Sequence, residues 1–487
     1  MSSLSSVFFL GAILLAHLSH CLASPAVTCQ SLSSTLPGKV FYPGSDAYNS
    51  SINSYTYVND RLLPACIVGP RSTGDVVSSV KILGKYPSTH FAIRGGGHSS
   101  NTNFSNTAGG VTIDMRAIKA VTINEGRDTV SVGAGALWRD VYAKTDPRNI
   151  SVLGGRIATV GVGGLTSGGG ISYFSPSRGW VCDGVANFEI ALSSGKLVNA
   201  NVDSNPDLFA ALKGGQNNFG IITRFDLKTF VIKPFWGGTI SYNNSTDDAI
   251  LAAFTKHKTP KNYDQEMSIV QNMAYDSSTG AFNGITAVYY TTGQANPKQL
   301  KFYTDIKPQL SNTMRLSKPG DFAQELEDFG VPDEYTLAAV TSFRFSPTVI
   351  AETHAKWKAW VLKIGKIANL TAVVNLQSLP PPPRSPRTPN SFGFSPNSHP
   401  EKDLVPFTLS INYKDASATG ALTKEIRRFI KEIDRPESFK YMNYAGWFQD
   451  PIKSFGAVQV QKLRSVSRKY DSTQMFQKQV VGGFKLW

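Results

Sequence analysis

Phe91-Ala92-Ile93-Arg94-Gly95-Gly96-Gly97-His98-Ser99 is the stretch from which the rest of the chain can be read. Three apolar residues lead in, as a buried strand would, and three glycines with a histidine follow at once. Glycine has no Cβ, so its backbone takes positive φ and brings N–H groups against a ligand. Such a turn suits a pyrophosphate, with the histidine placed to act on whatever the phosphate carries. Taken alone, the same residues also describe a surface loop with an ordinary histidine, and the decision lies elsewhere in the chain.

Upstream, residues 62–68 read as a short strand. Ser72 and Thr73 can cap a helix whose apolar positions Val76, Val77, Val80 and Leu83 share one face. The glycine turn therefore closes a strand–helix–strand unit. Downstream, residues 111–115, 121–124 and 129–132 read as strands, the last two joined by a hairpin turn at Glu125-Gly126-Arg127-Asp128. A helix begins near 137–142.

A second glycine cluster follows, Thr159-Val160-Gly161-Val162-Gly163-Gly164-Leu165-Thr166-Ser167-Gly168-Gly169-Gly170. So many glycines are expected to form neither helix nor strand, but to set a run of amides against a flat or anionic ligand. The interleaved Val160, Val162, Leu165 and Ile171 need burial, which argues against a disordered linker. A third glycine site, Gly214-Gly215-Gln216-Asn217-Asn218-Phe219-Gly220-Ile221, leads into a β-branched strand. None of the three matches G-x-G-x-x-G opening a helix, G-x-x-x-x-G-K-[ST] or G-x-S-x-G. What remains is an extended ligand held by backbone amides from three loops, with a histidine beside it.

Past Lys233-Pro234 the strands lengthen and alternate, at 239–242, 267–273, 281–291, 338–345, 373–379 and 407–413. Helical stretches at 350–366 and 422–433 separate them. An antiparallel sheet with helices on one face is the expected architecture. The Pro380–Pro386 region, short of backbone donors, is expected to be a loop.

The chain has 487 residues, of which 41% are hydrophobic and 17% charged, enough for two domains with separate cores. Residues 7–18 are almost all apolar and run into Cys21-Leu22-Ala23-Ser24, which reads as a secretory signal cut near Ala23. No later apolar run has spanning length, so no membrane span is expected. Sequons at Asn49, Asn103, Asn149, Asn243, Asn244 and Asn369 agree with a secretory route and a glycoprotein. Of the cysteines left after the signal, Cys29 and Cys66 are expected to pair, and Cys182 reads as a buried thiol. The net charge of +14 is spread along the chain, so no nucleic-acid partner is expected. No histidine beyond the signal has metal-ligand spacing, so no metal is expected.

The three glycine motifs together resemble flavin-dependent oxidoreductases of the vanillyl-alcohol oxidase superfamily, with its PCMH-type FAD-binding fold. The closest likeness is to the berberine-bridge-enzyme-like oxidases of fungi and plants, here fungal. Tyr441-Met442-Asn443-Tyr444 resembles the segment with which that family's tail returns to the cofactor domain. The resemblance implies an α+β, two-domain fold. Residues 1–23 are a signal, 24–59 an N-terminal segment, 60–232 the FAD-binding domain, 233–435 the substrate domain and 436–487 a returning C-terminal segment.

It further implies FAD with its pyrophosphate on Arg94, Gly95, Gly96, Gly97, His98 and Ser99. Thr159, Val160, Gly163, Gly164, Gly169, Gly170, Ile221, Asn443 and Tyr444 would also contact it. His98 would be joined covalently to the flavin. Many relatives carry a second link through a cysteine where this chain has Ile157, so a single link is expected.

The implied reaction is hydride transfer from a small organic substrate (an alcohol, a sugar or a secondary metabolite), with O2 as acceptor giving H2O2. Tyr444, or else Tyr413, is the expected base. Oxidative or pericyclic ring closure is the alternative chemistry. The sequence carries no signal of oligomeric state.

Overall fold

The computed structural model describes residues 24–328, 333–436 and 438–487. The apolar run read as a signal, and Cys21, lie outside the described residues.

The N-terminal segment, whose periodicity is weak, forms two helices, α1 (Pro25–Thr35) and α2 (Asp46–Asn53). Cys29 of α1 is disulfide-bonded to Cys66 across 37 residues, a closure worth about 4 kcal/mol through the unfolded chain. Four strands make the first sheet: β1 (Val40–Phe41), β2 (Cys66–Val68), β3 (Phe91–Arg94) and β4 (Val111–Asp114), in the order β1-β2-β4-β3. β2, β4 and β3 run parallel, which requires a crossover between β2 and β3. Helix α3 (Thr73–Lys85) supplies it, opened by a Ser72–Asp75 capping box and burying Val76, Val80 and Leu83.

The outer edge of β3 is covered by the tail. The Phe91 N–H donates to the Gln479 carbonyl at 2.9 Å, and the Val481 N–H to the Phe91 carbonyl at 3.1 Å. The strand that carries the glycine–histidine turn is thus held on both sides.

A second sheet contains β5 (Val121–Ile123), β6 (Thr129–Gly133), β7 (Ile150–Val152), β8 (Val185–Ala191), β9 (Leu197–Ala200) and β10 (Ile221–Val231), with β10 central between β6 and β8. Helix α4 (Trp138–Thr145) follows β6. The second glycine cluster departs from its reading: Val162–Ser167 is a helix, α5, capped by Gly161. It is a six-residue element packed through Val162 and Thr166, so tertiary contacts outweigh the poor helix propensity of its glycines.

The third sheet holds β11 (Phe235–Asn243), β12 (Met267–Asp276), β13 (Ala281–Tyr290), β14 (Gln309–Asn312), β15 (Arg315–Ser317), β16 (Tyr335–Arg344), β17 (Leu370–Gln377) and β18 (Leu404–Tyr413). Its order is β14-β11-β13-β12-β17-β18-β16, with β15 on β11, and every pairing is antiparallel. Helices Pro347–Ile364 and Thr419–Ile433 pack on one face through Trp357, Ile364, Leu422 and Phe429. Along β17 and β18 alternate residues face that core or the opposite side, where Asn375, Thr408 and Ser410 are half-buried. A separate core joins the first two sheets and takes in Tyr441, Phe476 and Val480 of the tail.

Candidate active site

Between the glycine loops and the open face of the third sheet lies a cavity of about 500 Å³. The loop after β3 forms one wall. Gly97 has φ +77°, and a Cβ there would stand 2.8 Å from the Arg94 guanidinium. A Cβ on Gly96 would stand 2.6 Å from the Gly161 nitrogen, so the first and second glycine loops lie back to back on bare main chain. A Cβ on Gly164 would meet nothing within 4 Å, and Gly164 lines the cavity.

Gly95, Gly96, Gly97, His98, Ser99, Val160, Gly163, Gly164, Ile221, Asn443 and Tyr444 all line this one cavity. His98 stands edge-on to Tyr57, ring centroids 5.7 Å apart. Burial pushes its pKa below the ordinary 6.5, against a smaller opposing pull from the Glu327 carboxylate. The imidazole is thereby kept neutral, the form with a free nitrogen lone pair. Ile157 lines the same cavity.

Five residues expected at the site are not in the lining. Arg94 is fully buried and turned away: it donates to the Ser51 carbonyl at 2.6 Å and the Ser54 carbonyl at 3.0 Å. It also pairs with Asp114 at 3.7 Å and covers the Tyr55 ring. It shapes the loop from behind. Thr159 gives its N–H, at 3.3 Å, and its hydroxyl to Glu327. Gly169 and Gly170 sit behind the wall, where the Gly170 N–H donates to the Tyr441 oxygen at 2.9 Å. Tyr413 falls on the core face of β18; its hydroxyl donates to Thr419 at 2.9 Å and burial pushes its pKa up. Period-two alternation from Thr408 and Ser410 excludes it from the cavity.

The tail closes the remaining side. The Asn443 amide donates to the Leu165 carbonyl at 3.0 Å and to the Tyr441 oxygen at 3.0 Å. Asn101 fixes the glycine–histidine loop to the tail, donating to the Ala445 carbonyl at 2.9 Å and accepting from the Trp447 N–H at 2.8 Å. Tyr444 packs edge-on against Tyr441, and its oxygen accepts from Arg156 Nη2 at 3.2 Å. The same nitrogen donates to Gln377 Oε1 at 3.0 Å.

Asn101, Arg156, Asn217, Thr336, Asn375, Thr408 and Ser410 line the cavity without having been singled out from the sequence. Asn217 lies inside the third glycine motif and Arg156 immediately before Ile157, so both were within reach. Asn375 and Thr408 are cross-strand partners 33 residues apart, and only the register joins them.

Cys182 is buried and free, and burial pushes its thiol pKa well up, which fits a packing role. No group of His, Cys, Asp or Glu among the described residues could hold a metal ion, and no helix among them is long and apolar enough to cross a membrane.

A site of bare main chain beside a neutral histidine suits a large ligand that is extended and anionic in part, and comparison with known proteins names it. A family profile described as an FAD binding domain matches residues 64–201. The chain is 32% identical over 483 residues to the FAD-dependent monooxygenase drtC of Aspergillus calidoustus, spanning 96% of this chain and 91% of that one. It is 34% identical over 447 residues to the FAD-dependent monooxygenase tpcD of Cochliobolus heterostrophus, spanning 87% and 85%. The chain belongs to the PCMH-type FAD-binding oxidoreductases.

Among solved structures, 6-hydroxy-D-nicotine oxidase of Arthrobacter nicotinovorans shares the fold with a TM-score of 0.76 at 16% identity, covering 95% of this chain and 98% of that one. Glucooligosaccharide oxidase of Acremonium strictum, described with a 6-S-cysteinyl, 8α-N1-histidyl FAD, superposes with a TM-score of 0.73 at 18% identity, over 94% and 99%.

The site's own residues fit FAD. Gly164 leaves open the space a side chain would fill, and Asn217 Oδ1, on the cavity wall, has no partner among the described residues. The protein is an FAD-dependent oxidoreductase.

Proposed function

We propose that this chain is a secreted FAD-dependent oxidase of a small organic substrate, with FAD tethered through His98 alone and O2 as electron acceptor. The observation that carries this reading is the joint placement of His98 and Ile157 on one cavity wall. One is a neutral nucleophile and the other a side chain that forms no bond to flavin. When bound, FAD supplies the hydride acceptor.

The chain's own residues do the rest. The main chain of Gly95–Ser99, Gly163 and Gly164 holds the cofactor. Asn375 and Thr408, whose Oδ1 and Oγ1 lack partners among the described residues, orient the substrate. Tyr444, whose oxygen accepts a hydrogen bond from Arg156 Nη2, takes the substrate's hydroxyl proton. The reading covers residues 60–232 as cofactor domain and 233–435 as substrate domain. It includes glycans at exposed Asn49, Asn103, Asn149, Asn244 and Asn369, whereas half-buried Asn243 accepts from the Ser245 N–H.

The curated relatives named above are called monooxygenases, and that second outcome parts from the first at oxygen. A monooxygenase that is not reduced by its own substrate needs an outside hydride donor, and none of the three glycine sites has the nicotinamide-binding pattern. Turnover under 18O2 decides it. H2O2 formed one for one with oxidised substrate, and product free of label, are expected; label in the product overturns the oxidase reading. Ring closure without O2 uptake would overturn both.

A further inference from the structure

We infer that the substrate carries an oxyanion, a carboxylate or an ionised phenol, and that Arg156 is the side chain that receives it. The inference rests on the oxidase reading above and names the substrate class of that same site.

Arg156 is the one Asp, Glu, Lys or Arg side chain among the residues that line the cavity. Its surroundings on the wall are glycine main chain, hydroxyls, amides and apolar groups, so no carboxylate there neutralises it. A guanidinium offers five N–H donors in a rigid fork. Only Nη2 has acceptors, Gln377 Oε1 and Tyr444 Oη; Nε and Nη1 have none among the described residues. Nε and Nη1 lie on the two different edges that flank Nη2, so each keeps an N–H free to give a single charge-assisted hydrogen bond to a carboxylate or phenolate oxygen.

The neighbours are set for an oxygen-rich ligand. Gln377, 1% exposed, has its Nε2 donor unpartnered, and Asn375 Oδ1 and Thr408 Oγ1 are unpartnered too. The hydrogen bond to Gln377 ties Arg156 to β17, the strand that carries Asn375. The FAD pyrophosphate is not the obvious counter-charge. In the reading proposed above the pyrophosphate belongs to the loop after β3, whereas Arg156 is tied to Gln377 of β17 and to Tyr444. A cation left unpaired in a protein wall is costly unless a ligand completes it.

The test is calorimetric titration of the FAD-loaded protein with benzoate, with 4-nitrophenol at a pH where its hydroxyl is ionised, and with neutral benzamide. Binding of either anion about tenfold or more tighter than benzamide is expected, and which anion leads tells carboxylate from phenolate. Arg156→Gln should erase the preference and Arg156→Lys keep part of it. Added salt should weaken the anions and leave benzamide unchanged in the unaltered protein, a reading that needs no variant. Equal binding of all three, failure of both anions to bind, or an undiminished preference in Arg156→Gln overturns the inference. FAD retention and O2 reoxidation measured on the same samples separate this outcome from failure of the oxidase reading, which would lose those instead.

Discussion

On one side of the cavity the chain meets its ligand with main chain: Gly95, Gly96, Gly97, Gly163 and Gly164. On the other, β16, β17 and β18 present Thr336, Asn375, Thr408 and Ser410. The first wall is made where side chains are missing, and its shape is held from behind by Arg94, Asn101 and the tail. The second is made by side chains on a regular antiparallel sheet, in which β17 and β18 are paired on both sides. A main-chain wall is intolerant of almost any added atom but says little about what else binds. A side-chain wall can change residue by residue without disturbing the sheet. In the function proposed above, cofactor identity belongs to the first wall and substrate choice to the second.

The largest effect that would break this contrast is at Gly96. Gly96→Ala puts a Cβ against the Gly161 main chain, so FAD loading should be lost, read as flavin absorbance per polypeptide after purification. Gly164→Ala, whose Cβ meets nothing within 4 Å, should fold normally and lower only FAD content. Equal FAD loading in the two variants would remove the back-to-back account.

Arg94→Gln should cost about 3–5 kcal/mol in denaturant unfolding, since it strips a buried cation from Asp114 and four oxygen contacts on α2 and Ser54. If the variant instead kept its stability and lost only FAD affinity, Arg94 would be a cofactor contact after all.

Tyr444→Phe should slow flavin reduction by at least about 100-fold at unchanged FAD content, measured by anaerobic stopped flow. An unchanged rate would remove Tyr444 as the base. On the sheet wall, Thr408→Val should raise KM roughly fivefold to tenfold, the worth of one neutral hydrogen bond, while leaving FAD content and unfolding unaltered. A loss of FAD in that variant would blur the division between the walls.

How much of this was legible in the sequence follows the same division. Glycine runs and their histidine are local signals, and the loops they announced came together as one wall. Arg94 misled because its adjacency to the glycines says nothing of direction: β3 alternates, and the side chain points to α2. Thr159 and Gly170 misled in the same way, within a motif whose residues face opposite sides. Tyr413 ends β18, and which face it takes is set by alternation from Thr408 along that strand. Asn375 and Thr408 had no local signal, because a hydrogen-bonding pair across strands exists only after the sheet has formed. Helix α1 has no periodic apolar face and is held by the Cys29–Cys66 bond and tertiary contact, whereas α2 carries local signals, a Ser45 cap and the buried Tyr48 and Ile52.

The proposed tether through His98 alone can be read from protein purified with its FAD, then denatured and passed through a desalting column. Yellow flavin absorbance should travel with the polypeptide and should be lost in His98→Ala, while Ile157→Ala keeps it. Because burial holds the His98 pKa below 6.5, the neutral nucleophile persists on acidification, so the yield of attachment during loading should hold at pH 6.5 and fall only below it. Flavin released from the unaltered protein on denaturation, or retained by His98→Ala, would contradict the claim.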